Sequence, residues 1–266
     1  ILLFGGYSPL LGASAEVWKY DGVDWTLLVG NAGGPPLTTF YGDAVVDSAR
    51  NKLVVLYDPT GAGGTNSRTW ELDLVTLQWQ EASTGPGPSA FYSPLAFDPF
   101  RALTISQYYN LVNGTNSTWS WAGAGWLSFL SGATPQRYNP NMAYDATRRR
   151  VTLVGCCRDL GQTVNQTDTW AFEGAWQMIL PNFHTSVFTA LKPFGIAYDS
   201  DRRAMVLVGS SYNDQSEYVS MQTWEYRYLD RVVIDEPPAS ATIVPGQTVQ
   251  FDVIASGAPP LSYQWR

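Results

Sequence analysis

The chain has 266 residues, a formal net charge of −7 and only 15% charged residues. That balance argues against general nucleic-acid or anionic-membrane binding, which needs a basic surface. One histidine (His184) and two cysteines (Cys156, Cys157) exclude a multi-ligand zinc site unless all three converge, and no apolar run approaches the roughly 18 residues of a membrane-spanning helix.

Aromatic residues reach 14%, with 11 Trp and 15 Tyr, beside 24 Gly and 17 Pro. This is the composition of an all-β chain with many turns. In chain order, ILLFGGY (1–7) reads as a strand ending in Gly5-Gly6, followed by a Trp strand, EVWKYDGVDW (16–25). Next comes AVVDSARNKLVVLYD (44–58): an apolar strand, an Asp-x-x-Arg turn and a second apolar strand, followed by RTWELDLVTLQW (68–79). The pattern recurs in LAFDPFRALTISQYY (95–109) with STWSWAGAGW (117–126), and in MAYDATRRRVTLVGCC (142–157) with DTWAFEGAW (168–176). It recurs once more in IAYDSDRRAMVLVGSS (196–211) with QTWEYRYL (222–229).

The leading tryptophans, Trp18, Trp70, Trp119, Trp170 and Trp224, stand about 50 residues apart, the period of a four-stranded propeller blade. The turn pairs are Asp47/Arg50, Asp98/Arg101, Asp145/Arg148 and Asp199/Arg202. An Asp that opens a turn hydrogen-bonds its own backbone two residues on, leaving its second oxygen for an Arg. The run Arg148-Arg149-Arg150 is therefore expected to be a structural turn rather than a ligand site. Trp25, Trp79, Trp126 and Trp176 follow the leading tryptophans by six to nine residues and are expected to pack between blades.

The Gly-Gly strand end, the Asp-Thr-Trp strand, the short turn and the second Trp together resemble the divergent kelch repeats of bacterial secreted and surface proteins. The resemblance covers residues 1 to about 230. Only Gly5-Gly6 keeps the full double glycine; Gly155-Cys156 and Gly209-Ser210 keep half of it. The resemblance implies an all-β, kelch-like β-propeller of four-stranded blades over residues 1–232, with about five blades of a partial ring. Residues 237–266 resemble the start of an immunoglobulin-like β-sandwich, with a strand near Ala241–Val244, a second near Thr248–Ala255, and Trp265 as core residue. Both ends read as cut, so a longer chain or larger assembly is expected.

Known enzymes on similar rings set demands that the sequence does not meet. Galactose oxidase, as the resemblance implies, needs two histidines at its copper. Arg137, Arg158 and several tyrosines could suit a sialidase, but the Asp-box motif of that family is missing. No catalytic residue, metal or cofactor is therefore assigned. Short turns join strands one to two and three to four on one face of such a ring. The longer links between strands two and three, and between blades, occupy the other face, where function commonly sits.

Candidate binding residues on that loop face are Tyr7, Tyr108, Tyr109, Arg158 and Tyr212, suited to sugar stacking or protein contact. The expected role is a non-catalytic, secreted or cell-surface binding or scaffold module with a protein or glycan partner. The alternative is a carbohydrate-binding or carbohydrate-acting propeller. For Cys156 and Cys157 three states stay open: a strained vicinal disulfide, two free thiols, or a link to another chain.

Overall fold

The structure is a computed structural model. It describes residues 1–10, 12–37, 42–59, 67–90, 93–109, 116–129, 135–156, 168–180, 190–212, 218–226, 233–256 and 262–264. All regular elements among them are β-strands, so no helix is long and apolar enough to cross a membrane.

Five antiparallel sheets follow one another along the chain as the blades of a β-propeller. Blade 1 contains β1 (Leu2–Phe4), β4 (Val17–Tyr20) and β5 (Trp25–Val29). Its link between second and third strands carries a small hairpin, β2 (Tyr7–Ser8) with β3 (Gly12–Ala13). Blade 2 is β6 (Gly42–Asp47), β7 (Lys52–Tyr57), β8 (Arg68–Asp73) and β9 (Trp79–Ser83). Blade 3 is β10 (Leu95–Asp98), β11 (Leu103–Tyr109), β12 (Asn116–Trp121) and β13 (Trp126–Phe129). Blade 4 is β14 (Tyr138–Asp145), β15 (Arg150–Cys156), β16 (Thr169–Phe172) and β17 (Trp176–Leu180). Blade 5 shows three strands: β18 (Ala190–Asp199), β19 (Ala204–Tyr212) and β20 (Tyr218–Tyr226). The five Trp strands are third strands throughout, and blade 1 shows three strands among the described residues, corresponding to the second to fourth of the later blades. The first strands β6, β10, β14 and β18 contact one another in succession, which places them around the central axis.

The tail departs from expectation. β21 (Val233–Glu236) pairs with β22 (Ile254–Ser256). Residues 241–244 form no strand, and the segment from 248 is extended as a strand only at its end. Ile243, Val244 and Phe251 are exposed there, so no second sheet covers them among the described residues. Without that cover an isolated two-stranded pair has little to hold it. Trp265 lies outside the described residues.

Each Asp-x-x-Arg turn closes in the same way. Oδ1 of Asp47 accepts the backbone N–H groups of Ala49 and Arg50 at 3.0 and 3.1 Å, and Oδ2 accepts Arg50 Nε at 2.7 Å. Asp98 with Arg101 and Asp199 with Arg202 repeat the arrangement. Asp145 accepts both the N–H and the guanidinium of Arg148. The residue after each arginine is left-handed: Asn51, Ala102, Arg149 and Arg203 have φ between 51° and 54°. Arg149 thus serves as the turn's left-handed residue, and its guanidinium lies 5.2 Å from the Phe100 ring centroid. Arg150 pairs with Glu173. The triple arginine is consumed locally.

The core is a series of layers between blades. Val17, Leu53, Val55 and Leu72 fill the first junction with Trp79; Val54, Leu56, Leu95, Trp121 and Trp126 fill the second. Ile105, Met142, Val151, Leu153, Trp170, Phe172 and Trp176 fill the third, and Val154 with Leu207 the fourth. Each fully buried side chain of this size removes apolar surface worth about 1.5–3 kcal/mol.

A repeated polar contact crosses these layers. Trp126 Nε1 donates to Thr69 Oγ1 on the preceding blade at 2.7 Å, and Trp176 Nε1 donates to Thr118 Oγ1 at 2.8 Å. Trp79 holds the same register position in blade 2, but the residue facing it from blade 1 is Val17, and its indole N–H is buried without an acceptor.

Two stability outcomes follow. Val17→Thr supplies the missing acceptor and is expected to match or exceed the parent in thermal and denaturant stability. Val54→Thr, beside the indoles of Trp121 and Trp126 whose N–H groups already donate to Glu71 and Thr69, is expected to lose about 1–3 kcal/mol. Ala102→Gly relieves an exposed left-handed alanine and is expected to gain about 0.5–1 kcal/mol, measured by urea unfolding.

Candidate functional site at the axial mouth

A first strand starts on the face where the second strand ends, so the inter-blade links and the second-to-third strand links share one face. The residues just before each apolar first-strand core are Asp43, Pro94, Asn141 and Gly195. They stand at the loop-face end of an axial channel of about 520 Å³. Its walls are Asp43–Val46, Pro94–Phe97, Asn141–Tyr144, and Gly195 with Ile196. The volume falls in the range of small-molecule sites, roughly 300–1,000 Å³.

Asp43 is the one acid among these four positions. Its side chain crosses from blade 2 to blade 3, where Oδ2 accepts the N–H of Leu95 at 2.7 Å; Oδ1 accepts the N–H of Ala44 at 2.8 Å. Burial disfavours the charge and pushes the pKa up to about 6, with the two backbone N–H groups opposing. Two buried hydroxyls, Ser93 and Ser106, lie on the facing blade without a hydrogen-bond partner; Ser106 is paired in register with Leu95.

Other polar groups on this face are already engaged. Arg137 is buried, donating Nε to Asp168 Oδ1 at 2.7 Å and Nη1 to the Gln136 carbonyl at 2.7 Å, with a further ion pair to Asp168 through Nη2. Gly155 lets this side chain in, since a Cβ there would lie 2.4 Å from Arg137 Cγ. Gln107 is fully buried and donates to the Pro135 carbonyl at 2.8 Å. Asp58 is likewise buried at the end of β7. Among the described residues, no three His, Cys, Asp or Glu side chains converge as metal ligands.

The residues expected from the sequence are spread around the ring. Tyr7 is exposed on the blade 1 hairpin. Tyr108, on blade 3, is half-buried; burial raises the pKa of its hydroxyl, and a hydrogen bond with Ser89 opposes this. Blade 2 stands between those two tyrosines. Tyr109, Cys156 and Tyr212 end strands β11, β15 and β19, but their side chains lie outside the described residues, as do Cys157, Arg158 and His184 altogether. Asp43 was the residue that repeat-matching passed over. Its signal was a difference between repeats: one unit carries an acid where the others carry Pro, Asn and Gly.

No family model matches the chain, and no curated protein matches it. Solved structures do, at the level of fold. A nidogen/laminin complex matches with 10% identity and a TM-score of 0.51 over 84% of this chain and 76% of that chain. The structure of YjhT matches with 11% identity and a TM-score of 0.52 over 85% and 80%. An exo-β-1,3-galactanase from Phanerochaete chrysosporium, with β-1,3-galactotriose, matches with 8% identity and a TM-score of 0.53. That match covers 80% of this chain and about half, 53%, of the galactanase. The class defined by fold and likeness together is the β-propeller.

The raised pKa of Asp43 has a defined sign. The folded chain holds this proton up to about pH 6, while the unfolded chain releases it near pH 4, so the contribution to stability falls as pH rises between those values. Asp43→Asn keeps an acceptor for the Leu95 N–H and removes the titration. Its stability relative to the parent is expected to improve by roughly 2–3 kcal/mol from pH 4 to pH 7, read by denaturant unfolding of both proteins at each pH.

Proposed function

We propose that the chain is a kelch-like propeller that engages carbohydrate over the axial mouth of its loop face, in a secreted or cell-surface protein. The observation that carries this reading is Asp43: a half-buried carboxyl at the channel mouth, on the loop face, whose pKa is pushed up to about 6. A pure scaffold has no need of such a group, and perturbed acids in clefts mark functional sites. The neighbour solved with a β-1,3-linked galactose trimer adds support for a sugar as the ligand class.

In this reading Tyr7, Tyr108, Tyr109 and Tyr212 supply apolar ring surface for sugar faces, Arg158 supplies a donor, and Asn141 and Asp43 hydrogen-bond hydroxyl groups at the axis. Glycoside hydrolysis needs a pair of carboxyls flanking one bond. Among the described residues only Asp43 lines the channel as an acid, and Asp168, elsewhere on blade 4, is paired with Arg137. Binding is therefore the activity proposed, and the immunoglobulin-like tail is proposed as its attachment.

A glycan array with fluorescently labelled protein tests the proposal, paired with an assay for reducing-sugar release. Binding is expected, with Tyr7→Ala and Tyr212→Ala each weakening it about tenfold while thermal stability is kept. A blank array overturns the sugar reading in favour of a protein-binding scaffold; sugar release instead makes the chain an enzyme.

A further inference from the structure

The Asp43 carboxyl lies on the axial edges of two blades at once. β6 and β10 are the first strands of their sheets and pair on one side only, with β7 and β11. Such a strand turns alternate N–H groups toward its partner and the rest toward its free edge. The N–H of Leu95 goes to Asp43 Oδ2 at 2.7 Å and that of Ala44 to Oδ1 at 2.8 Å, so both belong to the free, axis-facing edges. An ionised carboxylate accepts about four hydrogen bonds, two at each oxygen. One acceptor position on each oxygen therefore stays open to the channel that Asp43 lines. Two acceptors side by side fit two adjacent hydroxyl groups on one sugar ring. Protonation breaks that match, because one oxygen then carries a donor.

We propose that the mouth holds a vicinal diol of its sugar ligand on the ionised Asp43 carboxylate and releases the ligand when that carboxyl is protonated. The proposal deepens the sugar reading and rests on it. Of the elements packed against β6, β7 carries Lys52 and Tyr57, β10 carries Asp98, β11 carries Tyr108 and Tyr109, and β1 carries no titratable side chain. Lys52 and Asp98 stand at the turn-face ends of their strands, bound to Asp73 and Arg101. Burial raises the hydroxyl pKa of Tyr57, of Tyr108 and of Tyr144 on the channel wall, so these keep their protons near neutral pH. Asp58, directly after β7, is buried; a charge there acts on Asp43 in the same direction as burial. Burial pushes the Asp43 pKa up to about 6. Two donated hydroxyl bonds favour its charged form, so ligand and proton compete for one carboxyl.

An array of uncharged glycans read at pH 5 and pH 7.5 tests this, beside amide ¹H–¹⁵N spectra of the ligand-free protein over the same range. The parent is expected to bind about tenfold more tightly at pH 7.5, the ratio of its ionised fractions for a midpoint of about 6. Asp43→Asn is expected to bind weakly and equally at both. Tyr7→Ala is expected to weaken binding alike at both, keeping the parent's ratio. In the spectra the Leu95 and Ala44 amides of the parent are expected to shift with one shared midpoint, which Asp43→Asn abolishes. Equal binding by the parent at both pH values, a ratio that survives in Asp43→Asn, or amides without a shared midpoint overturns the gate. A blank array beside titrating amides overturns the proposal through the sugar reading and not through Asp43.

Discussion

Every blade here is apolar on both faces, and neither face can be left in water at little cost. A sheet with one dry face folds alone or against a helix, but a sheet with two must be sandwiched. Leu53 and Val55 point one way from β7, and Val54 and Leu56 the other; all four are buried. The blades can only be satisfied in a stack, and a stack of twisted sheets that shares its first strands at an axis is a propeller. The axial channel, the loop face and the position of Asp43 all follow from that stacking.

Within the stack the polar atoms are as constrained as the apolar ones. An indole N–H carried into a dry junction needs an acceptor there, and a threonine on the opposite blade provides one at two junctions. The Asp-x-x-Arg turns solve a similar problem at the ends of the first strands, where a carboxylate takes backbone N–H groups of the turn and a guanidinium. Asp43 breaks the pattern. It crosses a blade junction as a carboxyl with backbone partners alone, so its charge stays poorly compensated, and that is what sets it apart chemically.

The architecture was legible because it rests on residues that repeat: five tryptophans at a near-constant spacing, and four Asp-x-x-Arg pairs. The arginine run at 148–150 was readable for the same reason, since its neighbours in the other units showed what a single copy could not. The candidate site was less legible. Sugar or protein contact depends on loops that have no repeated pattern, and the tyrosines chosen there are spread over three blades. Asp43 was visible only as an exception to the alignment of units, and a search for shared residues discards exceptions. The tail was less legible: Ala241–Val244 has the composition of a strand, yet residues 241–244 form none, and the strand that pairs with β21 comes later, at Ile254–Ser256.

The third and fourth strands begin their pairing at the same place in every blade where both are described: Tyr20 faces Trp25, Leu72 faces Trp79, Trp121 faces Trp126 and Phe172 faces Trp176. Each partner lies two residues beyond the leading tryptophan, yet the turn that follows differs in length from blade to blade. The strands, not the turn, decide where the pairing begins. These turns are therefore natural grafting points, where foreign peptide can be displayed on the face away from the axial mouth and the sheet behind it keeps its alignment.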